Sequence, residues 1–467
     1  MKDVIIIGAG PAGLFAAYEL IKNNKDLNIC VLERGNNIYN RKCPISEGKT
    51  EQCINCSPCN IMRGFGGAGA FSDGKYNFTT QYGGWLNDYV SDEKVMDLIE
   101  YVDHINMDLF TKKTGSTNYP EKFNSFDSKW KNECLKYDMH LLTGGVRHLG
   151  TENNLLIMEQ LYDLMVELGV KFEFKCNVTS FCKNENGFFV EFNKKGIHTV
   201  ISSKYLICAP GRSGAEWFAE QCKGLGLSMV NNQVDIGVRV EVPNEVIEHI
   251  TNDIYELKVK YRSKKYEDII RTFCMNPGGH VVAENTDGIV TVNGHSFDDP
   301  KLRSQNTNFA LLVSNKFTEP FNEPYRYGKS IASFSNMLGG GIIVQRFGDL
   351  IKHRRTDKKR MDKSFTKPTL KATPGDLSLV LPKRHLDNII EMIYQLDKLC
   401  PGMANDDALL YGVEVKFYSS RIELSNNLET KINDLYAIGD GVGVTRSLSQ
   451  AAASGVLAAR DILNKIK

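Results

Sequence analysis

The start of the chain has two apolar segments separated by a helical pattern. Residues 4–7 form a continuous apolar run, which is typical of a parallel strand covered on both faces. Residues 14–20 have apolar positions at helical spacing, and residues 28–33 form a second apolar run that ends in an acid. The pattern predicts a β-turn-α-β unit.

Later segments alternate between strand and helix patterns. The spacing of apolar residues in 152–168 predicts an amphipathic helix. The segment 353–363 is strongly charged and is expected to be a solvated loop. Short apolar runs predict strands at residues 170–175, 177–183, 187–193, 204–208, 235–242, 288–293 and 434–438.

A glycine motif lies between the first predicted strand and the first predicted helix. Gly8 allows a tight turn, Gly10 lets the backbone approach a pyrophosphate, and Gly13 lets helix and strand pack closely. The helix N-terminus offers unpaired N–H groups to phosphates, and Glu33 can accept hydrogen bonds from a ribose. The candidate cofactor-binding residues of this segment are Gly8, Gly10, Pro11, Ala12, Gly13, Glu33 and Arg34.

The C-terminal segment indicates which dinucleotide is bound. The strand predicted at 434–438 runs into Gly439 and Asp440, and a helix of small residues follows. This arrangement resembles the FAD fold of the glutathione-reductase type. The resemblance implies that Asp440 holds the ribityl chain and that Ser449 and Gln450 lie near the N1–O2 edge of the flavin. A helix N-terminus there would stabilise the anionic reduced flavin.

A middle motif supports the same resemblance. The strands predicted between residues 170 and 208 lead to Ala209, Pro210 and Gly211, which is similar to the middle motif of that fold. Val178 stands where the family's backbone meets adenine, and Gly211 is a further candidate cofactor residue. Because three motifs match in the expected order along the whole chain, FAD is the predicted cofactor.

Two strings narrow the resemblance. Residues 63–75, RGFGGAGAFSDGK, and residues 273–279, FCMNPGG, resemble a group of bacterial FAD-dependent dehydrogenases called NAD(FAD)-utilizing. That group is distantly similar to the geranylgeranyl-reductase flavoproteins, and it implies no particular substrate. Asn276 stands where the group often has a cysteine. Gly66 and Gly67 suit a backbone that lies against the isoalloxazine ring or the pyrophosphate, where a side chain would not fit.

The predicted fold class is α/β, with a discontinuous Rossmann-like FAD-binding domain and an inserted mixed α+β substrate-binding domain. The FAD-binding domain is expected to comprise residues 1–75, 141–225 and 406–467. Residues 76–140 are expected to form a helical insertion, and residues 226–405 the substrate-binding domain.

Four of the twelve cysteines, Cys43, Cys53, Cys56 and Cys59, lie within seventeen residues. Their C-x2-C-x2-C run is the spacing of bacterial ferredoxin loops, and its place before Gly66 favours electron delivery to the flavin. An iron–sulfur cluster, a tetrathiolate zinc site, a redox-active dithiol and uninvolved thiols in a reducing cytoplasm are all open alternatives. The spacing differs from that of the disulfide reductases, which disfavours that class.

A second glycine motif for a pyridine nucleotide is missing after any predicted strand. Residues 224–226 lack the third glycine, and residues 339–341 lack the helix. We therefore expect either NAD(P)H as a transient reductant at the flavin face or a ferredoxin-like electron donor.

The sequence offers several candidates for the catalytic group. A flavin reductase needs a proton donor facing the flavin, often Tyr, His or Cys. The catalytic candidates are Arg239, His280 and Tyr411, with His295 and Glu414 nearby in the sequence pattern. The candidates for holding an acidic substrate are Arg346, Lys416 and Arg421. A purely structural role is the more common alternative for each of them.

Composition limits the function classes. Lys plus Arg is 57 and Asp plus Glu is 56, and this balance argues against nucleic acid as a partner. The apolar runs are shorter than the roughly 18 residues of a membrane span, and the first is too short for a signal peptide, so a cytoplasmic location is expected.

The predicted function is an FAD-dependent oxidoreductase that transfers hydride at flavin N5 to or from a C=C or CH–CH bond of a small organic substrate. The first alternative is an FAD-binding redox sensor or regulatory flavoprotein without turnover. A flavin-dependent RNA-modifying enzyme is disfavoured by the charge balance. The sequence does not specify the substrate, the electron donor, the direction of reaction or the oligomeric state.

Overall fold

The computed structural model describes residues 1–50, 54, 56–126, 129–230, 233–286, 288–297, 299–315, 317, 323–417 and 421–467. The strands are, in chain order, β1 (Lys2–Ile7), β2 (Ile29–Glu33), β3 (Lys75–Phe78), β4 (Lys122–Asn124), β5 (Met139–Leu141), β6 (Gly145–His148), β7 (Lys171–Phe174), β8 (Cys176–Asn184), β9 (Gly187–Lys194), β10 (Ile197–Cys208), β11 (Met229–Val230), β12 (Val234–Pro243), β13 (Val259–Arg262), β14 (Ile269–Asn276), β15 (His280–Thr286), β16 (Ile289–His295), β17 (Asn306–Asn315), β18 (Ile343–Arg346), β19 (Thr373–Pro374), β20 (Leu409–Phe417), β21 (Arg421–Ile422) and β22 (Leu435–Ala437). The helices are α1 (Pro11–Asn23), α2 (Asp92–Thr114), α3 (Trp130–Leu135), α4 (Gly150–Glu167), α5 (Ala215–Gly224), α6 (Glu248–Ile254), α7 (Pro324–Gly339), α8 (Phe347–Ile351), α9 (Lys358–Asp362), α10 (Lys383–Leu399) and α11 (Leu448–Ile466).

The chain forms two compact units. The first comprises Met1–Lys122, Val146–Val230 and Ser419–Lys467, and the second comprises Phe123–Gly145 and Asn231–Tyr418. The predicted fold class, a discontinuous α/β domain with an inserted mixed domain, is confirmed. The segment 76–140, expected to be one helical insertion, is divided, since α2 belongs to the first unit and α3 to the second.

A seven-stranded sheet organises the first unit. The strand order is β7-β2-β1-β10-β9-β8, and β22 pairs with β10. Strand β1 lies in parallel register between β2 and β10, so that Val4 stands opposite Ile29 on one side and Tyr205 on the other. Its last four residues are buried, which explains the continuous apolar run at 4–7.

The antiparallel part of this sheet is formed by β8, β9 and β10. The strands predicted at 177–183 and 187–193 are confirmed, whereas the one predicted at 204–208 is the last part of the longer β10. The first half of β10 pairs with β9 alone and carries polar residues, so it lacks the apolar run that marks a buried strand.

Helices α1 and α11 cross closely. A Cβ atom at Gly455 would clash with the carbonyl oxygen of Ala12, so only glycine permits this approach. The buried carboxylate of Glu19 receives a hydrogen bond from Arg460 Nε at 2.8 Å, which also joins the two helices. The contact holds the predicted first helix and the predicted C-terminal helix side by side.

An eight-stranded, mainly antiparallel sheet organises the second unit, in the order β19-β18-β20-β12-β17-β14-β13-β5. Alternate residues of β12, such as Val238 and Val240, pack in a core with Ile389 and Ile393 of α10. The intervening residues of β12 face the other way, and they include the buried polar side chains Asp235, Arg239 and Glu241.

The charged segment 353–363 is largely exposed, as the sequence predicts, but it is not a loop throughout. Helix α9 lies within it, and Thr356 is fully buried. The buried carboxylate of Asp349 accepts hydrogen bonds from Arg354 Nε at 2.7 Å and from Thr356 Oγ1 at 2.9 Å. This anchor lies outside the charged run, so the composition of the run did not reveal it.

Candidate cofactor site

The glycine turn between β1 and α1 shows the tight turn and the close packing that the sequence predicts. Gly8 has a φ of 102°, and a Cβ atom there would clash with the carbonyl oxygen of Ala209. A Cβ atom at Gly13 would clash with the carbonyl oxygen of Gly8, so helix and strand pack as closely as expected. At Gly10, by contrast, a Cβ atom would meet no atom within 4 Å. The protein leaves open space at the one glycine expected to face a pyrophosphate.

The N-terminus of α1 carries no side-chain cap. Gly10 is the N-cap residue, Pro11 occupies the first turn, and no acidic residue lies in that turn. The free N–H groups and the positive end of the helix dipole are therefore available to an anion. This is the arrangement that binds phosphate in dinucleotide folds.

Glu33 makes backbone hydrogen bonds that the sequence analysis did not predict. Its buried carboxylate accepts hydrogen bonds from the backbone N–H groups of Ala9 at 2.9 Å, Gly35 at 2.7 Å and Gly64 at 3.0 Å. The side chain thus ties the glycine turn to the segment before Gly66. The exposed Arg34 follows it at the end of β2. Ribose binding by Glu33 stays a prediction.

Arg41 is a site residue that the sequence analysis missed. The buried guanidinium donates to the carbonyl oxygens of Asn60 at 2.8 Å and Ile61 at 2.6 Å. It also donates to those of Phe65 at 2.5 Å and Gly67 at 2.8 Å. Burial lowers the pKa of Arg41 to about 10, and the nearby carboxylate of Glu33 opposes that shift. An arginine in a polar loop gives no periodic signal, so only the fold reveals the role.

Arg41 holds the loop that contains Gly66 and Gly67, which we call the glycine loop. This loop lies against the turn at Ala9 and Gly10. Gly66 and Gly67 have positive φ angles, 84° and 58°, and the Gly66 N–H donates to the carbonyl oxygen of Ala9 at 2.8 Å. A Cβ atom at Gly67 would stand 3.1 Å from the Cα atom of Gly10. The backbone at Gly67 thus lies close to the glycine turn, and the predicted approach of Gly66 and Gly67 to the isoalloxazine ring or the pyrophosphate stays a prediction.

The middle motif at Gly211 and the C-terminal motif at Gly439 and Gly441 lie beside each other and beside the start of α1. A Cβ atom at Gly441 would clash with the carbonyl oxygen of Gly211, and one at Gly439 would lie 2.9 Å from the Cβ atom of Ala12. Gly211 itself has a φ of 63°, and a Cβ atom there would meet nothing within 4 Å. Three motifs far apart in sequence therefore converge around open positions at Gly10 and Gly211.

Asp440 lies at this junction in a partly buried position. Its Oδ1 accepts a hydrogen bond from Thr445 Oγ1 at 2.7 Å, and Arg212 Nε stands 4.0 Å from its Oδ2. Burial raises the pKa of Asp440, and the charges of Arg212 and Arg446 oppose the rise. The role of Asp440 in holding the ribityl chain stays a prediction.

Ser449 and Gln450 begin α11 and differ in their bonding. Gln450 is buried, its Oε1 accepts from the Leu86 N–H at 3.4 Å, and its Nε2 donates to the carbonyl oxygen of Tyr82 at 3.3 Å. Gln450 therefore fixes a neighbouring loop. Ser449 is fully buried, and its Oγ has no hydrogen-bond partner among the described residues. A buried hydroxyl without a partner is uncommon and indicates a group that a ligand can satisfy.

These observations fit FAD. Open backbone positions at Gly10 and Gly211, an uncapped helix and an orphaned hydroxyl at Ser449 are the features that a bound dinucleotide would use. Val178 lies apart from them in the chain, partly buried on β8 opposite Phe192, and its contact with adenine stays a prediction.

The segment 43–59, which we call the cysteine segment, precedes the loop that contains Gly66 and Gly67. Cys43, Cys56 and Cys59 are partly buried, and Cys53 lies outside the described residues. Over the part of the chain that the structure describes, no group of three or more His, Cys, Asp or Glu residues is placed to hold a metal ion. The iron–sulfur cluster and the zinc site stay predictions of the sequence.

The catalytic candidate Arg239 is engaged in a buried ion pair of the second unit. Its Nη1 donates to both carboxylate oxygens of Glu414, at 3.1 and 2.9 Å, and its Nε donates to Asn308 Oδ1 at 2.8 Å. Its Nη2 donates to the carbonyl oxygen of Cys274 at 2.6 Å. Every nitrogen of the guanidinium thus has an internal acceptor, which favours a structural role over catalysis.

The other catalytic candidates are also internally bonded. The Tyr411 hydroxyl donates to Glu241 Oε2 at 2.5 Å, and burial raises the pKa of Tyr411 well above its ordinary value. His280 Nε2 donates to the carbonyl oxygen of Leu302 at 2.9 Å. No direct bond joins these two residues to each other or to Arg239.

The cations considered for an acidic substrate have different partners. Arg346 Nε donates to Asp407 Oδ1 at 2.8 Å, and Arg421 Nη2 donates to Asp88 Oδ2 at 2.7 Å. Lys416 Nζ pairs with Glu414 Oε1 at 2.8 Å. Of the three, Lys416 alone belongs to the buried cluster around Arg239.

Two protein-family models match parts of the chain. Residues 233–417 match the model of the family described as FAD-dependent protein, C-terminal domain-like. The resemblance to FAD-dependent proteins is confirmed. Residues 1–38 match the model of the Thi4 family, and this segment contains the glycine turn and Glu33. FAD as cofactor and oxidoreductase as the enzyme class agree with these matches.

Individual relatives add little beyond this. An uncharacterized protein of Clostridium beijerinckii is 26% identical over 483 residues, which cover 99% of this chain and 80% of that protein. A glycine oxidase from Geobacillus kaustophilus is similar with a TM-score of 0.40 and 10% identity over 99% of this chain and 95% of its own. A flavoprotein/dehydrogenase from Cytophaga hutchinsonii has a TM-score of 0.40 and 12% identity over 99% and 79%.

Across the described ranges, each helix is too short or too polar to cross a bilayer.

Proposed function

We propose that the chain is an FAD-dependent oxidoreductase that transfers hydride at flavin N5 to or from a C=C or CH–CH bond of a small organic substrate. The convergence of three sequence motifs on open positions at Gly10 and Gly211 is the main support. FAD, when bound, supplies the hydride acceptor or donor. The residues of the chain bind its pyrophosphate at the N-terminus of α1 and its ribityl hydroxyls at Asp440.

The electron source is part of the proposal. We infer that NAD(P)H visits the flavin transiently, or that a ferredoxin-like donor delivers electrons near the cysteine segment. The second possibility is supported by Arg41, which bonds the carbonyl oxygens of Asn60 and Ile61 immediately after Cys59 and also that of Gly67. Iron and acid-labile sulfide assays on the purified protein separate the two sources.

The test of turnover is anaerobic flavin spectroscopy. The flavin of the purified protein is first reduced with NADPH or, in a parallel sample, with dithionite. We expect an α,β-unsaturated carboxylic acid to restore the oxidised flavin band stoichiometrically. A bound flavin that no unsaturated or saturated organic compound oxidises or reduces would contradict the enzyme and favour the redox sensor.

A further inference from the structure

One segment of the second unit carries a large excess of positive charge. Residues 352–371, which we call the basic segment, contain nine Lys and Arg residues and two Asp residues. The whole chain has a formal net charge of only +1, so the rest of the chain is net negative. A concentration of one sign creates a local field that the overall charge balance conceals.

Three of the nine cations of the basic segment pair with carboxylates of the fold. The pairs are Lys352 with Asp406 at 2.6 Å, Arg354 with Asp349 at 2.7 Å, and Arg360 with Asp357 at 2.9 Å. These pairs are balanced in charge, so they leave the other six cations to be accounted for.

The other six cations are all exposed, and none of them forms an ion pair within the part of the chain that the structure describes. They are Arg355, Lys358, Lys359, Lys363, Lys367 and Lys371. The neighbouring carboxylates that no cation pairs with are Asp362, Asp376 and the buried Glu241, which bonds Thr369 of the segment. Even if all three are counted, positive charge remains in excess.

Lysine predominates among these unpaired cations. An ammonium group is a compact, strongly hydrated charge that needs no fixed geometry, whereas the guanidinium of arginine binds single carboxylates in a bidentate way. Lysine is also depleted in protein–protein interfaces. The composition therefore suits a diffuse anionic surface better than it suits a single carboxylate ligand or an acidic protein.

Hydrogen bonds fix the backbone of the basic segment to the fold. Thr356 is fully buried, its N–H donates to the carbonyl oxygen of Gly375 at 2.9 Å, and its hydroxyl accepts from the Arg346 N–H at 2.9 Å. Farther along, the Phe365 N–H donates to Asp407 Oδ2 at 3.2 Å. The exposed charges are therefore carried by an ordered backbone, and binding does not have to order it.

A protruding aromatic ring lies among these charges. Phe365 is 89% exposed, and the lysines two residues before and after it, Lys363 and Lys367, are exposed as well. Ser364 and Thr366 between them are buried, so the ring and the two lysines lie on the outer side of the segment. A ring on which a nucleic acid base stacks rests on the protein with its other face. A ring exposed on nearly all sides suits insertion into an apolar medium instead.

We propose that the basic segment docks the protein on an anionic lipid surface, with its lysines at the lipid phosphates and the ring of Phe365 inserted at the boundary of the acyl chains. Lysines beside an exposed apolar side chain are the combination that holds segments in the membrane interface. Each lysine near an anionic leaflet adds to the attraction, and the effect extends over about one Debye length. This inference goes beyond the proposed function and does not depend on it.

The charge contribution is tested by co-sedimentation of the purified full chain with vesicles of phosphatidylcholine, with and without one third phosphatidylglycerol. We expect binding to the anionic vesicles alone, and its loss as sodium chloride rises from about 50 mM to about 500 mM, because salt screens exposed charges. The double variant Lys358→Gln/Lys359→Gln should lower the partition coefficient by about tenfold or more. The matched control is Lys25→Gln/Lys131→Gln, which removes two exposed lysines outside the segment.

The apolar contribution is tested by Phe365→Ser. We expect this variant to bind the anionic vesicles more weakly than the wild type but with the same salt dependence, because it removes the inserted ring and no charge. Met337→Ser, which removes another exposed apolar side chain, is its control. All of the changed side chains are exposed, so the melting temperatures should stay close to that of the wild type.

Four results would overturn the inference. They are no binding of the wild-type chain to anionic vesicles at low salt, equal binding by the double lysine variant and its control, wild-type binding by Phe365→Ser, or tighter binding of an oligo-dT strand than of the anionic vesicles. The last result would favour a nucleic acid as the partner. Flavin content, measured by absorbance in the same samples, separates failure of this inference from failure of the FAD proposal.

Discussion

The guanidinium of Arg41 donates a hydrogen bond of 2.8 Å to the carbonyl oxygen of Gly67. This bond fixes the glycine loop at the point where it lies against the Cα atom of Gly10. Arg41 therefore does not need to contact the cofactor. It positions the backbone at Gly66 and Gly67, which carry no side chains that could do so. The cysteine segment is tied to the same guanidinium through Asn60 and Ile61.

Replacing Arg41 by lysine should weaken FAD binding. An ammonium group cannot reach the four carbonyl oxygens at once, and each lost charged hydrogen bond costs about 1.5–3 kcal/mol. We expect Arg41→Lys to raise the dissociation constant of FAD by about tenfold or more, measured by fluorescence titration of the apoprotein. Lys42→Met, which changes the exposed neighbouring residue, is the control. Equal affinities of the two variants would contradict the role of Arg41.

Glu33→Gln should destabilise the protein before any cofactor is added. The carboxylate accepts three backbone N–H groups, and an amide must turn its own NH2 toward at least one of them. A loss of about 1–3 kcal/mol in the free energy of unfolding of the apoprotein is expected in urea titrations. If the apoprotein were unchanged and FAD affinity alone fell, ribose binding would be the main role of Glu33.

Arg239→Met should lower the free energy of unfolding of the protein. The change leaves the fully buried carboxylate of Glu414 without its bidentate partner, although Lys416 remains beside it. Removing one partner of a buried ion pair costs about 3–5 kcal/mol. Urea unfolding should show this loss, while Arg262→Met, at an exposed position of β13, should show almost none. A variant with wild-type stability and no turnover would restore Arg239 as a catalytic candidate.

His385 should make the protein sensitive to acid. It is buried, neither ring nitrogen has a hydrogen-bond partner among the described residues, and burial lowers its pKa from 6.5 to about 4. Below pH 6.5 the unfolded chain binds a proton that the folded chain does not. Stability is therefore present above that pH and is lost progressively as the pH falls toward about 4.

The variant His385→Leu isolates this effect. The loss attributable to His385 is roughly 3 kcal/mol at most, from the size of the pKa shift. We expect His385→Leu to flatten the fall of the melting temperature between pH 6.5 and pH 4, and the exposed His353→Leu to leave it unchanged. Parallel pH profiles of wild type and His385→Leu would contradict the account.

The sequence predicted the parts of the fold that local patterns control. The buried run at 4–7 and the mechanical roles of Gly8 and Gly13 depend on residues close in sequence, and the structure bears them out. The middle and C-terminal motifs were recognised from the resemblance to the FAD fold. In contrast, the roles of Arg41 and Gln450 depend on carbonyl oxygens and N–H groups of distant loops, and backbone groups leave no signature in the sequence.

The roles of the charged residues depend on contacts between distant parts of the chain. Arg239 was a catalytic candidate because it lies on a predicted strand of the expected substrate-binding domain. Its partner Glu414 is 175 residues away and is brought beside it only by the pairing of β12 with β20. The segment 353–363 was expected to be a solvated loop because it is strongly charged, and the residue that anchors it, Asp349, lies before it. In both cases tertiary pairing decides whether a charge is functional or structural.

The most direct test of the FAD site is the flavin content of Gly10→Val beside that of the wild-type chain. Gly10 has a φ of −80°, and a Cβ atom there meets no protein atom within 4 Å, so we expect the variant to fold with the stability of the apoprotein. Gly224→Val is the control, because a Cβ atom at that end of α5 also meets nothing within 4 Å. The account predicts about one FAD per chain in wild type and control and almost none in Gly10→Val. Full flavin content in Gly10→Val, or a wild-type chain that takes up no FAD on reconstitution, would contradict it.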